Sequence, residues 1–132
     1  MAPLHCTLLT PERTVVDRPA DFVALPLWDG EIGISPGRAA MIGRLGCGEM
    51  RIEHEGQTGR FYVEGGFVEV VGEAVCVLTP RAIAAGELDE AAIGEQLRAA
   101  LAERPTTPEQ FAARDRTLAQ RRAQLRVARR AK

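Results

Sequence analysis

Asp29-Gly30-Glu31-Ile32-Gly33-Ile34-Ser35-Pro36-Gly37 compresses a turn, a short strand and a second turn into one stretch. Ile32 and Ile34 alternate with small or polar neighbours, the period-two pattern of a strand with one buried face. Asp29-Gly30 and Ser35-Pro36-Gly37 are turn signals on either side of it. Farther along, Gly65-Gly66-Phe67-Val68-Glu69-Val70 repeats the device with its own glycine pair. Working outward, apolar runs at 4–9, 13–17, 21–27, 39–45, 49–54, 60–64 and 74–78 are separated by Gly-, Pro- or charge-bearing turns, with 31–34 and 67–71 between them. About nine or ten short strands at close spacing predict a sandwich or flattened barrel.

At about Gly86 the period changes. Asp89-Glu90 places acids where a helix dipole favours them, and Ile93, Leu97, Ala100 and Leu101 then share one helical face. Glu103-Arg104-Pro105-Thr106 ends that helix. Thr107-Pro108-Glu109-Gln110 starts another, with threonine as N-cap, proline at the first helical position and glutamine three residues after the cap. Phe111, Leu118 and Leu125 recur every seven residues, a narrow apolar seam. The predicted class is therefore β + α: an N-terminal sandwich or flattened barrel of nine or ten strands over 1–86 and a C-terminal two-helix antiparallel hairpin over 87–132. Helices of this length are marginal in isolation. The hairpin must pack on itself, on the sandwich or on a partner, and that choice is what a conformational switch exploits.

The 132 residues are 45% hydrophobic and 27% charged, a globular composition. Apolar runs fall short of the roughly 20 residues of a membrane span, so direct membrane insertion is not expected. Cys6, Cys47 and Cys76 are odd in number and far apart, which suits a reducing compartment. The net charge of −1 hides an asymmetry, because residues 1–86 carry 7 basic and 11 acidic side chains and residues 87–132 carry 10 basic and 7 acidic. From Phe111 onward seven arginines and Lys132 face one acid, Asp115. Such a tail seeks an acidic surface.

Catalytic chemistry finds no foothold. His5 and His54 lie on separate predicted strands without a partner motif, and neighbours on a strand point to opposite faces, which separates His5 from Cys6. The 30–37 glycines lack the Gly-Lys-Ser/Thr ending of a phosphate loop. Neither a metal nor another cofactor is expected. One Trp and one Tyr offer little stacking surface for single strands, so nucleic acid is not expected as a partner either.

The order and spacing of Thr10-Pro11-Glu12, Pro26, Gly30 to Gly37, Leu45, Gly48-Glu49, Arg51-Ile52, Gly65 to Val70, Val75, Val77-Leu78-Thr79, Leu88-Asp89 and Ala123-Gln124-Leu125-Arg126-Val127 resemble the epsilon subunit of F-type ATP synthases along nearly the whole chain. The resemblance implies an N-terminal ten-stranded β-sandwich followed by the two-helix hairpin, in a non-catalytic rotor subunit bound to the gamma subunit and resting on the ring of c subunits. It implies torque transfer without participation in the chemistry, at the cytoplasmic face of a bacterial inner membrane. Glu31 with Ser35, Pro36, Gly37 and Arg38 would face the ring and gamma; Arg38 stands where many relatives have histidine and Ala40 where proline is frequent. The hairpin would either fold against the sandwich or extend beside gamma and block hydrolysis. In the extended state Arg114, Arg121, Arg122 and Arg129 would meet an acidic segment of the beta/alpha catalytic head.

Some relatives sense ATP through an Ile/Leu-Asp-x-x-Arg-Ala run. Here Leu88-Asp89 is present but Ala92 replaces the arginine. Gln120 and Gln124 fall where the second helix would complete the site, and a small register shift brings in Arg122 and Arg126. With one cationic phosphate contact gone, Asp89, Arg122 and Arg126 imply at most weak ATP binding. The alternative reading is a free-standing nucleotide sensor closing its hairpin on the ligand.

Overall fold

The structure, a computed structural model, describes residues 2–130; the tail's Lys132 lies outside the described residues. The strands are β1 (Leu4–Leu9), β2 (Thr14–Ala20), β3 (Phe22–Leu27), β4 (Gly30–Ile34), β5 (Met41–His54), β6 (Gln57–Val71), β7 (Ala74–Leu78) and β8 (Ala82–Ala84). A 3-10 turn (Ala85–Glu87) leads to helices α1 (Glu90–Ala102) and α2 (Pro108–Arg130).

The eight strands run in the order β2-β1-β7-β6-β5-β3-β4, with β8 added to β6 off this path. Every pairing is antiparallel except β1 with β7. The expected count of ten strands is corrected to eight. Four of the expected strands are the two halves of β5 and of β6, which pair in one unbroken register from Met41↔Val70 to His54↔Gln57. Glycines that looked like breaks are bends. Gly46 is bare because a Cβ there would come within 2.8 Å of the Leu27 carbonyl oxygen. The connection between the two long strands is a tight turn in which Glu55 (φ 51°) and Gly56 (φ 78°) are both left-handed, as a two-residue hairpin of matching twist requires.

Bending lets the long hairpin serve both layers. Its Phe67–Val71 segment pairs with β7, while β3 pairs mainly near Ile52. Side-chain alternation then sends Leu4, Cys6, Leu8, Val23, Leu25, Ile34, Met50, Ile52, Val63, Val68, Val70, Val75 and Val77 into one closed core. Pro19 is tolerated in β2 because that strand is an edge.

Helix ends follow their local chemistry. Asp89 caps α1, its carboxylate accepting the Ala92 N–H at 3.1 Å. Thr107 Oγ1 accepts the Gln110 N–H at 3.1 Å, and Gln110 Oε1 reaches back to the Thr106 N–H at 2.8 Å. The seven-residue seam is only partly buried: Leu118 and Leu125 are covered, but Phe111 is 49% exposed. Phe111 lies in the first turn of α2, at the loop end of the hairpin just past the end of α1 at Ala102.

Candidate functional site

Two surfaces stand out, one covered by α2 and one bare. Under α2, Tyr62 of β6 is the centre of a small second cluster with Ala85, Ala123 and Val127, edged by Cys47, Ile83 and Leu88. Small side chains on α2 allow its backbone to approach the sheet closely. The Tyr62 hydroxyl donates to Glu64 Oε1 at 2.8 Å. Burial, reinforced by that carboxylate, pushes its pKa upward, so it stays a neutral donor. Burial likewise raises the Cys47 thiol and pushes Cys6 up to about 12. Protonated thiols of this kind are poor nucleophiles.

Next to this cluster a cavity of about 160 Å³ lies between sandwich and hairpin, lined by Glu31, Glu49, Arg126 and Arg130 among others. Glu49 is the buried member, its side chain only 7% exposed. One of its oxygens meets Arg60 Nη1 at 3.0 Å and Arg130 Nη1 at 3.7 Å.

The bare surface is the outer face of the other half of the sheet. Register places Phe67 between Arg44 of β5 and Leu78 of β7, with Leu9 of β1 beyond Leu78. Trp28 extends the row, the Arg44 guanidinium lying 6.0 Å from its ring centroid, within cation–π reach. Trp28 is 66% exposed, Ile42 74%, Phe67 56% and Leu78 52%. Phe67 and Leu78 also line a 360 Å³ concavity with Leu9, Thr10, Pro11 and Pro80. Sequence reasoning singled out residues 65–70 but not this face. The signal was there: β6 carries apolar residues at both parities near its end, Val68 and Val70 inward, Phe67 and Val71 outward. A strand apolar on both faces expects cover on both.

The residues marked from sequence fall in several places. Ser35, Gly37 and Arg38 are exposed in the turn after β4, with Pro36 half-buried and Gly37 left-handed at φ 88°. Glu31, at the other end of β4, borders the cavity beneath α2. Arg114 caps the C-terminus of α1, donating from Nε to the Ala100 carbonyl at 3.1 Å and from Nη2 to the Leu101 carbonyl at 3.3 Å. Arg129 pairs with Glu90 at 2.9 Å, tying α2 to α1. Arg121 is half-buried and Arg122 exposed. Of the three ATP-site candidates, Asp89 serves as the helix cap, Arg122 is exposed and Arg126 borders the sandwich-side cavity.

Both histidines lie against acids of neighbouring segments. His5 pairs with Asp17, and His54 lies 3.4 Å from Asp21. The Glu55 backbone N–H holds the Asp21 carboxyl below its ordinary value, with His54 adding to the effect. Among the described residues no group of three His, Cys, Asp or Glu side chains converges as a metal site would need, and no helix is long and apolar enough to cross a membrane.

Residues 3–85 match the family described as ATP synthase, Delta/Epsilon chain, beta-sandwich domain. An ATP synthase epsilon chain from Rhodopirellula baltica is 46% identical over 126 residues, covering 96% of this chain and 98% of its own. The chain belongs to the ATP synthase epsilon-chain family. An epsilon chain is a subunit of the ATP synthase complex and not itself a catalyst. The epsilon fold is shared with a chain of the Euglena gracilis mitochondrial ATP synthase OSCP/F1/c-ring assembly at TM-score 0.86 and 20% identity, over 93% of this chain and 79% of that one. It is shared also with a chain of the Tetrahymena thermophila central stalk/c-ring assembly at TM-score 0.70 and 16% identity, over 98% and 96% of the two chains.

Proposed function

We propose that this epsilon chain is a rotor subunit of the central stalk, coupling ion flow through the c-ring to rotary ATP synthesis and restraining ATP hydrolysis through its hairpin. The observation that carries the reading is the bare apolar row Trp28–Phe67–Leu78 on an otherwise closed sandwich. Apolar clusters of this kind on a small domain mark a protein interface. In this reading residues 1–86 dock on gamma through that row, and the exposed turn of Ser35, Pro36, Gly37 and Arg38, with Glu31 one strand away, faces the ring. The subunit is then peripheral at the cytoplasmic face of a bacterial inner membrane, held by its partners.

Residues 87–132 form the movable part. Their seat joins Tyr62, Ala85, Ala123 and Val127, edged by half-buried Cys47, Ile83 and Leu88, so Tyr62 is the one large side chain it buries completely. Arg114 and Arg129 are engaged inside the hairpin and travel with it. Of the four candidate arginines, Arg121 and Arg122 are the two left to meet an acidic face of the beta/alpha head.

Phe67→Ala tests the docking row. It should weaken gamma binding about 30-fold, the loss of roughly 2 kcal/mol typical of an aromatic anchor, while leaving the thermal midpoint nearly unchanged because the ring is already half in water. Titration of the variant against gamma reads this directly; wild-type affinity would remove the row from the interface. Truncation after Gly86 tests the hairpin separately. Hydrolysis by the assembled complex should rise several-fold, and an unchanged rate would end the regulatory reading while leaving the rotor role intact.

A further inference from the structure

We infer that Glu49, Arg60 and Arg130 form a conditional latch: burial of the Glu49 carboxylate makes docking of α2 depend on the arginine at that helix's end. The inference rests on the reading that the hairpin leaves its seat, and it concerns what decides when. Glu49 belongs to β5, the central hairpin of the sheet. Its carboxylate is covered from the α2 side by Ala123, Arg126, Val127 and Arg130, which line the same cavity. Docking therefore removes a charged group from water, leaving it 7% exposed. Only Oε1 is paired; Oε2 is buried without a hydrogen-bond partner among the described residues.

A carboxylate taken out of water is unfavourable unless cations compensate it. Arg60, on the neighbouring strand, is present whether or not α2 is seated. Arg130 arrives only with α2. The Arg130 side chain is 59% exposed, so its own desolvation is slight and it remains within reach of competing anions and salt. The latch is asymmetric for this reason. Removing Arg130 leaves Glu49 undercompensated in the docked state and favours release. Neutralising Glu49 removes the penalty and makes Arg130 dispensable. A well-packed apolar seat without Glu49 would hold α2 permanently; with Glu49 inside it, the seat holds α2 only while the last turn of the helix is in place.

Hydrogen exchange of the full-length isolated chain distinguishes this from mere helix fraying. Arg130→Gln should speed exchange of the α2 amides from Ala123 to Ala128 about tenfold, a buried-pair loss discounted for the exposure of Arg130 and the continued presence of Arg60. Raised salt should move the wild type in the same direction. Glu49→Gln alone should exchange no faster than wild type, and the Glu49→Gln/Arg130→Gln double variant should return to within about twofold of it. Fraying of the helix end would not be repaired by a change in β5. Arg122→Gln, on an exposed position, is the control. The latch is overturned if Arg130→Gln exchanges like Arg122→Gln, or if the double variant stays as fast as Arg130→Gln. Either result leaves the truncation test of hydrolysis untouched, since that test reads the hairpin as a whole.

Discussion

Gly66→Ala is expected to unfold or severely loosen the sandwich, lowering stability by more than about 4 kcal/mol, a large share of what a domain of this size possesses. A Cβ on Gly66 would lie 1.9 Å from the Leu78 carbonyl oxygen and 2.9 Å from the Leu78 carbonyl carbon and Thr79 Cα. These are backbone atoms, so no side-chain rotation relieves the overlap. Gly66 also has φ 101°, a conformation in which an L side chain is strained regardless of space. Relief requires β7 to move away from β6. The Phe67↔Leu78 and Val68↔Val77 pairings lie next to the clash, and Thr79 N–H donates to the Leu9 carbonyl at 3.0 Å just beyond it. Displacing β7 therefore also disturbs β1. Gly72→Ala is the informative comparison, because Gly72 is left-handed at φ 58° but a Cβ there meets nothing within 4 Å. It should lose only about 1 kcal/mol, the cost of the backbone conformation alone. Urea midpoints of the two variants, read against wild type, separate strain from collision. Equal losses would mean that β6 and β7 part more easily than their contacts indicate.

That contrast also shows how much of this fold could be read along the chain. Features whose cause lies within a few residues were legible. The Thr107 to Gln110 run caps its helix as its spacing predicts, and the Asp89 carboxylate, expected as a first-turn acid, caps α1; Ile32 and Ile34 turn inward by simple alternation, half-buried and buried respectively. Features caused by a distant partner were not. Gly46 and Gly66 read as interruptions, and only Leu27 and Leu78, brought close by the sheet, reveal that they admit a neighbouring backbone inside a continuous strand. β8 is three residues long and exists because Phe61, Tyr62 and Val63 offer it an edge.

The candidate site divides along the same line. The turn at Ser35-Pro36-Gly37 is local and legible in its composition, while its extension to Arg38 as a candidate surface comes from the family resemblance. The bare apolar row and the seat under α2 needed the register of β5, β6 and β7, which brings Arg44, Phe67 and Leu78 abreast. The basic tail was read from composition as a single surface, but the fold assigns its arginines separate tasks. Arg114 closes the end of α1, Arg129 ties the helices together and Arg130 reaches the sandwich. Charge counts do not distinguish these roles, because they depend on which face of α2 meets which element.

Tyr62→Ala should release the hairpin while leaving the sandwich folded. Truncating a buried aromatic side chain costs about 3–5 kcal/mol, and Tyr62 is fully buried. Where that loss falls depends on what the ring touches. Tyr62 is not part of the main sandwich cluster, whereas its neighbour Val63 is; its own cluster joins it to Ala85, Ala123 and Val127. The ring thus fills the space between sheet and α2, and most of the penalty attaches to docking. Glu64 loses its tyrosine hydroxyl donor as well, but it is half-buried and can regain water once the hairpin lifts. The other fully covered members of that cluster are alanines and a valine, with Cys47, Ile83 and Leu88 only at its edge, and small side chains cannot collapse into a cavity of aromatic size. The docked population should therefore become minor, and exchange should quicken together across α1 and α2 because the two helices pack on each other and are tied by Arg114 and Arg129. Amides of β1, β7 and the Phe67–Val71 half of β6 should keep their protection. If core strands and helices lost protection together, sandwich and hairpin would be a single cooperative unit, and a hairpin that leaves its seat while the rotor stays assembled would be untenable.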